Sequence, residues 1–76
     1  MEINEFVQNF ASLFDETEAS EFSAETNFRE IEEWSSFTVL SVIAMVDAEY
    51  KVKISGDEIR VAQTILDVYN IVKSKM

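Results

Sequence analysis

The sequence predicts an all-α fold: a four-helix bundle of three main helices and one short helix, with a long loop between the first two. Three observations carry that prediction. Apolar residues recur at spacings of three and four in three separate stretches, the mark of amphipathic helices. The one alternating stretch, Lys51-Val52-Lys53-Ile54, is too short for a useful sheet strand. With 76 residues the chain must spend nearly all its apolar side chains on one core, so residues 1–76 read as a single domain with no room for a separate catalytic one.

Proline is absent and Gly56 is the only glycine, so element ends must be read from caps and periodicity. In the first helix Ile3, Phe6, Val7, Phe10, Leu13 and Phe14 share one stripe, opposite Glu2, Glu5, Gln8, Asn9 and Ser12, and an end is expected near Phe14 or Asp15. From Asp15 to Ser35 the chain is rich in Glu, Ser and Thr, with Phe22, Phe28, Ile31 and Trp34 spaced along it. Connections beyond about 12–15 residues tend to be functional or disordered, and the spaced aromatics argue that this one is pinned onto the core, with Thr26 as the cap of a short turn. Ser35 or Ser36 opens the second helix, which buries Val39, Val42, Ile43, Val46 and Tyr50. Phe37, Leu40 and Ala44 are expected to widen that buried face and to leave Thr38, Ser41, Met45, Asp47 and Glu49 outside. Val52 and Ile54 point inward from an extended connection. Ser55 and Glu58 have capping-box spacing for a short turn. Val61, Ala62, Ile65, Val68, Tyr69 and Val72 then form the last helix, with Lys73 and Lys75 near its C-terminus.

The charge balance of 6 Lys and Arg against 15 Asp and Glu gives a formal net charge of −9. Nucleic acid and anionic membrane surfaces repel such a chain, whereas basic patches on partner proteins attract it. Apolar residues make up 47% of the sequence, which sets it apart from a disordered acidic tail. No apolar run approaches the roughly 20 residues of a membrane span, and Met1-Glu2-Ile3-Asn4 lacks a basic start. A cytoplasmic monomer without membrane insertion is the expectation.

With neither His nor Cys, thiolate and imidazole metal ligands and the usual nucleophilic constellations are missing. The chain is expected not to be an enzyme. Glu30, Glu32 and Glu33 lie near no glycine-rich or calcium-loop pattern and read as a solvated acidic face, so no metal site is expected. Chemistry concentrates on Glu33-Trp34-Ser35-Ser36-Phe37-Thr38-Val39-Leu40, which puts a serine at the joint between an acidic loop and an apolar helix. On that local pattern alone Ser36 reads as a helix cap, and Trp34 as an anchor for the loop.

Over its whole length the chain resembles the acyl carrier protein family, with the best-matched stretch from Trp34 through Tyr69. In that family an Asp-Ser-Leu motif opens the second helix, and Ser35-Ser36-Phe37 occupies those places here. The family ends that helix with an acidic and aromatic pair before a Val-x-Ile segment, which Glu49-Tyr50-Lys51-Val52-Lys53-Ile54 resembles at the expected distance. The resemblance implies that Ser36 takes 4′-phosphopantetheine from coenzyme A and that the chain carries acyl groups as thioesters, as in fatty acid biosynthesis and lipid metabolism. The implied partners are a phosphopantetheinyl transferase and acyl-loading and acyl-transferring enzymes with basic patches.

Two departures qualify the match. Ser35 stands where the family has aspartate, so the resemblance implies a specialised transferase or slower modification. The acidic strip of the second helix is reduced to Asp47 and Glu49, with Thr38 and Ser41 closer to the arm, and acidity shifts to Glu30, Glu32, Glu33, Asp57 and Glu58. Those nine residues form the expected partner surface. Leu40, Ile43, Val46, Ile59, Ala62 and Ile65 are the candidate acyl-chain pocket, beside the plain reading that apolar stripes are core. A peptidyl or aminoacyl carrier is one alternative, and an unmodified acidic helical interaction module another.

Overall fold

In the computed structural model, which describes residues 2–76, the stripe that begins at Ile3 folds as helix α1 (Ile3–Ala11). The Glu2 carboxylate caps it by accepting from the Asn4 amide at 3.2 Å. The helix closes earlier than its apolar spacing predicts. The amides of Leu13 and Phe14 donate to Phe10 and Ala11, three residues back, which tightens the chain out of α-geometry while Phe14 stays buried. Three further helices follow: α2 (Ser36–Tyr50), α3 (Gly56–Val61) and α4 (Ile65–Ser74). The fold is an all-α bundle, with no strand among the described residues beyond an isolated bridge between Asn27 and Thr64.

Helix α1 packs against α4 and α2, α2 against α3, and α3 against α4. Phe6, Phe10, Phe28, Val42, Val46, Ile65, Val68 and Val72 are fully enclosed in the core that results. No helix among the described residues is long and apolar enough to cross a membrane.

The connection from α1 to α2 contains two 3₁₀ turns, Ala19–Glu21 and Phe28–Glu30. As predicted, its aromatics pin it down. Phe22 and Phe28 are buried, and Trp34 lies 4.5 Å from Phe28 between ring centroids and stacks on Phe10 and Phe14. Asn27 rather than Thr26 caps the second turn, because its Oδ1 accepts from the Arg29 amide. The Thr26 hydroxyl instead accepts from the Ser23 amide at 2.8 Å, and the carbonyls of Ala24 and Thr26 accept from the amides of Leu66 and Ile65, two donors that the start of α4 leaves without helical partners.

Helix α2 is rotated from its predicted phase. Thr38 and Met45 face inward beside Val42 and Val46, while Phe37 and Leu40 are 77% and 64% exposed and Ala44 is also outside. Apolar side chains on nearly every side of this helix leave periodicity with no contrast to work on. Burial of Thr38 costs little, because its hydroxyl donates to the Glu33 carbonyl at 3.1 Å. Lys51 ends the helix in the left-handed region at φ 57°, and Val52 and Ile54 then point inward as predicted.

The run from Val61 to Val72 is divided between two helices. Ser55 and Glu58 form the predicted capping box for α3. Ala62 turns extended, and Thr64 with Asp67 forms a second capping box that starts α4 afresh. Val61 therefore lies outside the core at 79% exposure, while Ala62 remains inside.

Candidate functional site

The residue that caps α2 is Ser35. Its backbone is extended (φ −155°, ψ 176°), and its Oγ accepts from the Thr38 amide at 3.4 Å and lies 3.3 Å from the Thr38 hydroxyl. Ser36 is the first residue of the helix proper and is exposed. No hydrogen bond among the described residues engages its hydroxyl. The capping role that the local pattern offers Ser36 thus falls to its neighbour, and the Ser36 oxygen keeps both lone pairs and its proton available.

Ser36 lies on the wall of a cavity of about 670 Å³. The lining comes from three elements: Arg29 and Trp34 from the loop, Ser35, Ser36, Val39 and Leu40 from α2, and Gly56, Ile59 and Arg60 from α3. Gly56 is not there for its backbone freedom, since its φ is not positive. A Cβ built on it meets Val39 Cγ1 at 4.0 Å, an ordinary contact, so a larger side chain would project along the cavity wall without backbone strain.

Of the six residues predicted as an acyl-chain pocket, only Leu40 and Ile59 line this cavity. Val46, Ala62 and Ile65 are sealed in the core and Ile43 is half-buried against it, the plain packing role that apolar stripes usually have. The opening lies nearer the head of α2 than most of the predicted pocket, and the outward-turned Leu40 is the residue of α2 that the two share.

The predicted partner surface divides in the same way. Glu30, Glu32 and Glu49 are exposed, and so are Asp47 and Asp57, which pair with Lys53 at 3.3 Å and Arg60 at 3.1 Å. Thr38 is buried and leaves that surface. Ser41 is half-buried, with its hydroxyl turned back to donate to the Phe37 carbonyl.

Two of the glutamates serve the fold instead. The Glu33 carboxylate accepts from the Thr17 hydroxyl and from the amides of Asp15, Glu16 and Thr17, at 2.7–3.1 Å. It ties the start of the loop to its end. The Thr17 hydroxyl and these amides hold its carboxyl below the usual glutamate range. The Glu58 carboxylate accepts from Lys75 Nζ at 2.8 Å and from the Ser55 amide, and these partners hold it low as well. The amides of Gln63 and Thr64 do the same for Asp67.

Three functional candidates escaped the sequence reading: Arg29, Arg60 and Gly56, all on the cavity wall. The available signal was composition, because Arg29 and Arg60 are the only arginines in the chain. No group of three or more His, Cys, Asp or Glu able to hold a metal ion lies among the described residues. No protein-family model matches the chain, and neither a curated protein nor a solved structure matches it.

Proposed function

We propose that the chain is an acyl carrier protein, a non-catalytic body that receives 4′-phosphopantetheine on Ser36 and presents acyl groups to partner enzymes. The observation that carries this reading is the Ser36 hydroxyl, exposed and without a hydrogen bond at the head of α2, on the rim of the cavity. The residues present fit the group. An accessible primary alcohol is what attachment requires, and the start of a helix carries partial positive charge that suits an anion on the side chain.

In the loading step the Ser36 oxygen forms a bond to the phosphorus next to the pantetheine portion of coenzyme A. The pyrophosphate P–O bond breaks, adenosine 3′,5′-bisphosphate leaves, and a base on the transferase accepts the hydroxyl proton. When bound, the arm would supply a terminal thiol for acyl thioesters. Net charge supports the same reading. At −9 the chain steers toward basic surfaces, and electrostatic attraction gives fast encounter without tight binding. Of the carboxylates expected on the partner surface, Glu30, Glu32, Asp47, Glu49 and Asp57 are exposed, which supports that reading. A cytoplasmic, monomeric state belongs to this proposal.

Incubation with coenzyme A, magnesium and a broad-specificity phosphopantetheinyl transferase tests it by intact mass. A phosphopantetheine-sized gain is expected for the wild type and for Ser35→Ala, and none for Ser36→Ala. A gain that survives in Ser36→Ala moves the site, and a wild type that stays unmodified across several transferases removes the carrier reading. The unmodified interaction module would then stand, presenting Phe37 and Leu40 beside its acidic groups.

A further inference from the structure

The chain has fifteen acidic side chains and two guanidinium groups, and both guanidinium residues line the cavity whose wall includes Ser36. They reach it from different elements: Arg29 from the second 3₁₀ turn of the loop, Arg60 from α3. No hydrogen bond or ion pair among the described residues engages the Arg29 guanidinium. Arg60 has only Asp57, three residues earlier on the same short helix, with the two side chains 78% and 86% exposed. Such a pair is weak and exchangeable. In a strongly acidic protein this corner combines cationic charge with an apolar wall of Trp34, Val39, Leu40 and Ile59. The guanidinium fork matches phosphate oxygens in geometry as well as in sign.

We infer that Arg29 and Arg60 form a cationic clamp for the phosphodiester on Ser36, and that the cavity holds the proximal, branched part of the phosphopantetheine arm against Trp34 and Leu40. This rests on Ser36 being the attachment site. The phosphodiester is then one bond from Ser36 Oγ, so it is the one anion that the attachment itself fixes at the cavity rim, whereas a charge at the far end of the arm would have to fold back to reach it. One methylene beyond that phosphate ester the arm carries a carbon with two methyl groups, an apolar branch that suits a wall of Trp34, Val39, Leu40 and Ile59. At about 670 Å³ the cavity lies within the ordinary range for small-ligand sites, ample for this part of the arm. Asp57 competes for Arg60, so docking exchanges an exposed side-chain pair for a charge-assisted contact to the arm. The consequence is an arm whose near half lies along the protein while its thiol end remains free to reach a partner enzyme.

Trp34 is the only tryptophan and lines the cavity, which supplies a local reporter. The experiment compares wild type, Arg29→Gln/Arg60→Gln and Gly56→Leu before and after loading, with loading verified by intact mass. The readouts are Trp34 fluorescence and the phosphorus NMR resonance of the loaded chain. For wild type, loading should shift the Trp34 emission and place the phosphorus signal of the folded chain away from that of the same loaded chain unfolded in urea, where the phosphodiester has no folded partner, and added salt should weaken both effects. The double arginine variant and Gly56→Leu should gain the same mass yet lose both effects, one by removing the cations and the other by filling the cavity. Each arginine should change the docked-to-free ratio about tenfold, the scale of one charge-assisted hydrogen bond. A loaded wild type without these signals, or variants that keep them, overturns the clamp and leaves Ser36 attachment standing. A wild type that gains no mass overturns both. Where the double variant resists loading, free 4′-phosphopantetheine titrated into the unmodified chains gives the same comparison: a loss of about tenfold per arginine supports the clamp, and equal affinity overturns it.

Discussion

Between residues 15 and 35 the chain has no regular structure beyond two 3₁₀ turns, yet the groups that fix its path are engaged: Glu33 takes four hydrogen bonds, Ala24 and Thr26 serve the start of α4, and Phe22 and Phe28 are buried. The first two turns of α2 show the opposite balance. The backbone there is regular helix, but Ser36 has an unused hydroxyl, and Phe37 and Leu40 stand in solvent. The contrast separates regularity from closure. A segment is fixed by how completely its polar and apolar groups are satisfied, and groups left unsatisfied on a rigid element are the ones available to a ligand or partner.

The largest effect that could break this comparison lies inside the loop. Phe28 is fully buried, with its ring 5.6 Å from Phe10 and 4.5 Å from Trp34. Phe28→Ala removes that packing and leaves a cavity, at a cost of about 3–5 kcal/mol. That is a large share of the stability expected for a domain of this size. Urea unfolding followed by circular dichroism should show a far lower midpoint, or no cooperative transition at all. A midpoint near that of wild type would mean that the loop is not an integral part of the core.

A smaller effect concerns the carboxylate that ties the loop. Glu33, Glu58 and Asp67 all have folded-state pKa values lowered by their hydrogen-bond partners. A lowered folded value means that the contribution is complete above the unfolded value, 4.5 for Glu33, and is lost as pH falls through the folded one. Protonation also relieves repulsion among the many acidic groups, which acts in the opposite direction. The difference between two chains isolates the first term. Glu33→Gln should therefore be less stable than wild type at pH 7, and the gap should narrow as pH falls below 4.5. Glu32→Gln, on an exposed neighbour, should show little gap at either pH. A Glu33→Gln deficit that stays constant down to pH 3 would show that the lost contact does not depend on ionisation.

How far these features can be read from the sequence depends on where their partners lie. The α1 stripe has a strong apolar-to-polar contrast, and the Ser55 to Glu58 cap is local, so both can be read directly. The phase of α2 is hidden because Phe37, Leu40 and Ala44 compete on equal terms with Val42, Met45 and Val46; only packing against the other helices decides between them. The break between α3 and α4 is masked by apolar spacing that continues across it, although Thr64 and Asp67 carry the signature of a second cap. At the candidate site, Ser36 at the head of a helix is a local feature. The role of Glu33 is not, since its donors lie 16–18 residues away, and the meeting of Arg29 with Arg60 exists only once the loop has folded against α3.

The smallest effect on stability, and the one that sharpens the comparison most, belongs to Phe37. Its ring is 77% exposed, so Phe37→Ser removes little buried area and should change stability by no more than about 0.5 kcal/mol, the usual range for a surface position. The same change alters the side chain next to Ser36 on the first turn of α2. If that turn is the docking point for a transferase, Phe37→Ser should slow the mass gain at limiting enzyme while the urea midpoint stays in place, since a large exposed apolar side chain contributes at an interface rather than within the fold. A loss of unfolding free energy of more than about 1 kcal/mol would place Phe37 in the core and restore the phase that periodicity predicts for α2. Unchanged stability with an unchanged loading rate would leave Phe37 exposed and move the docking point away from the head of the helix, toward the exposed carboxylates of Asp47 and Glu49.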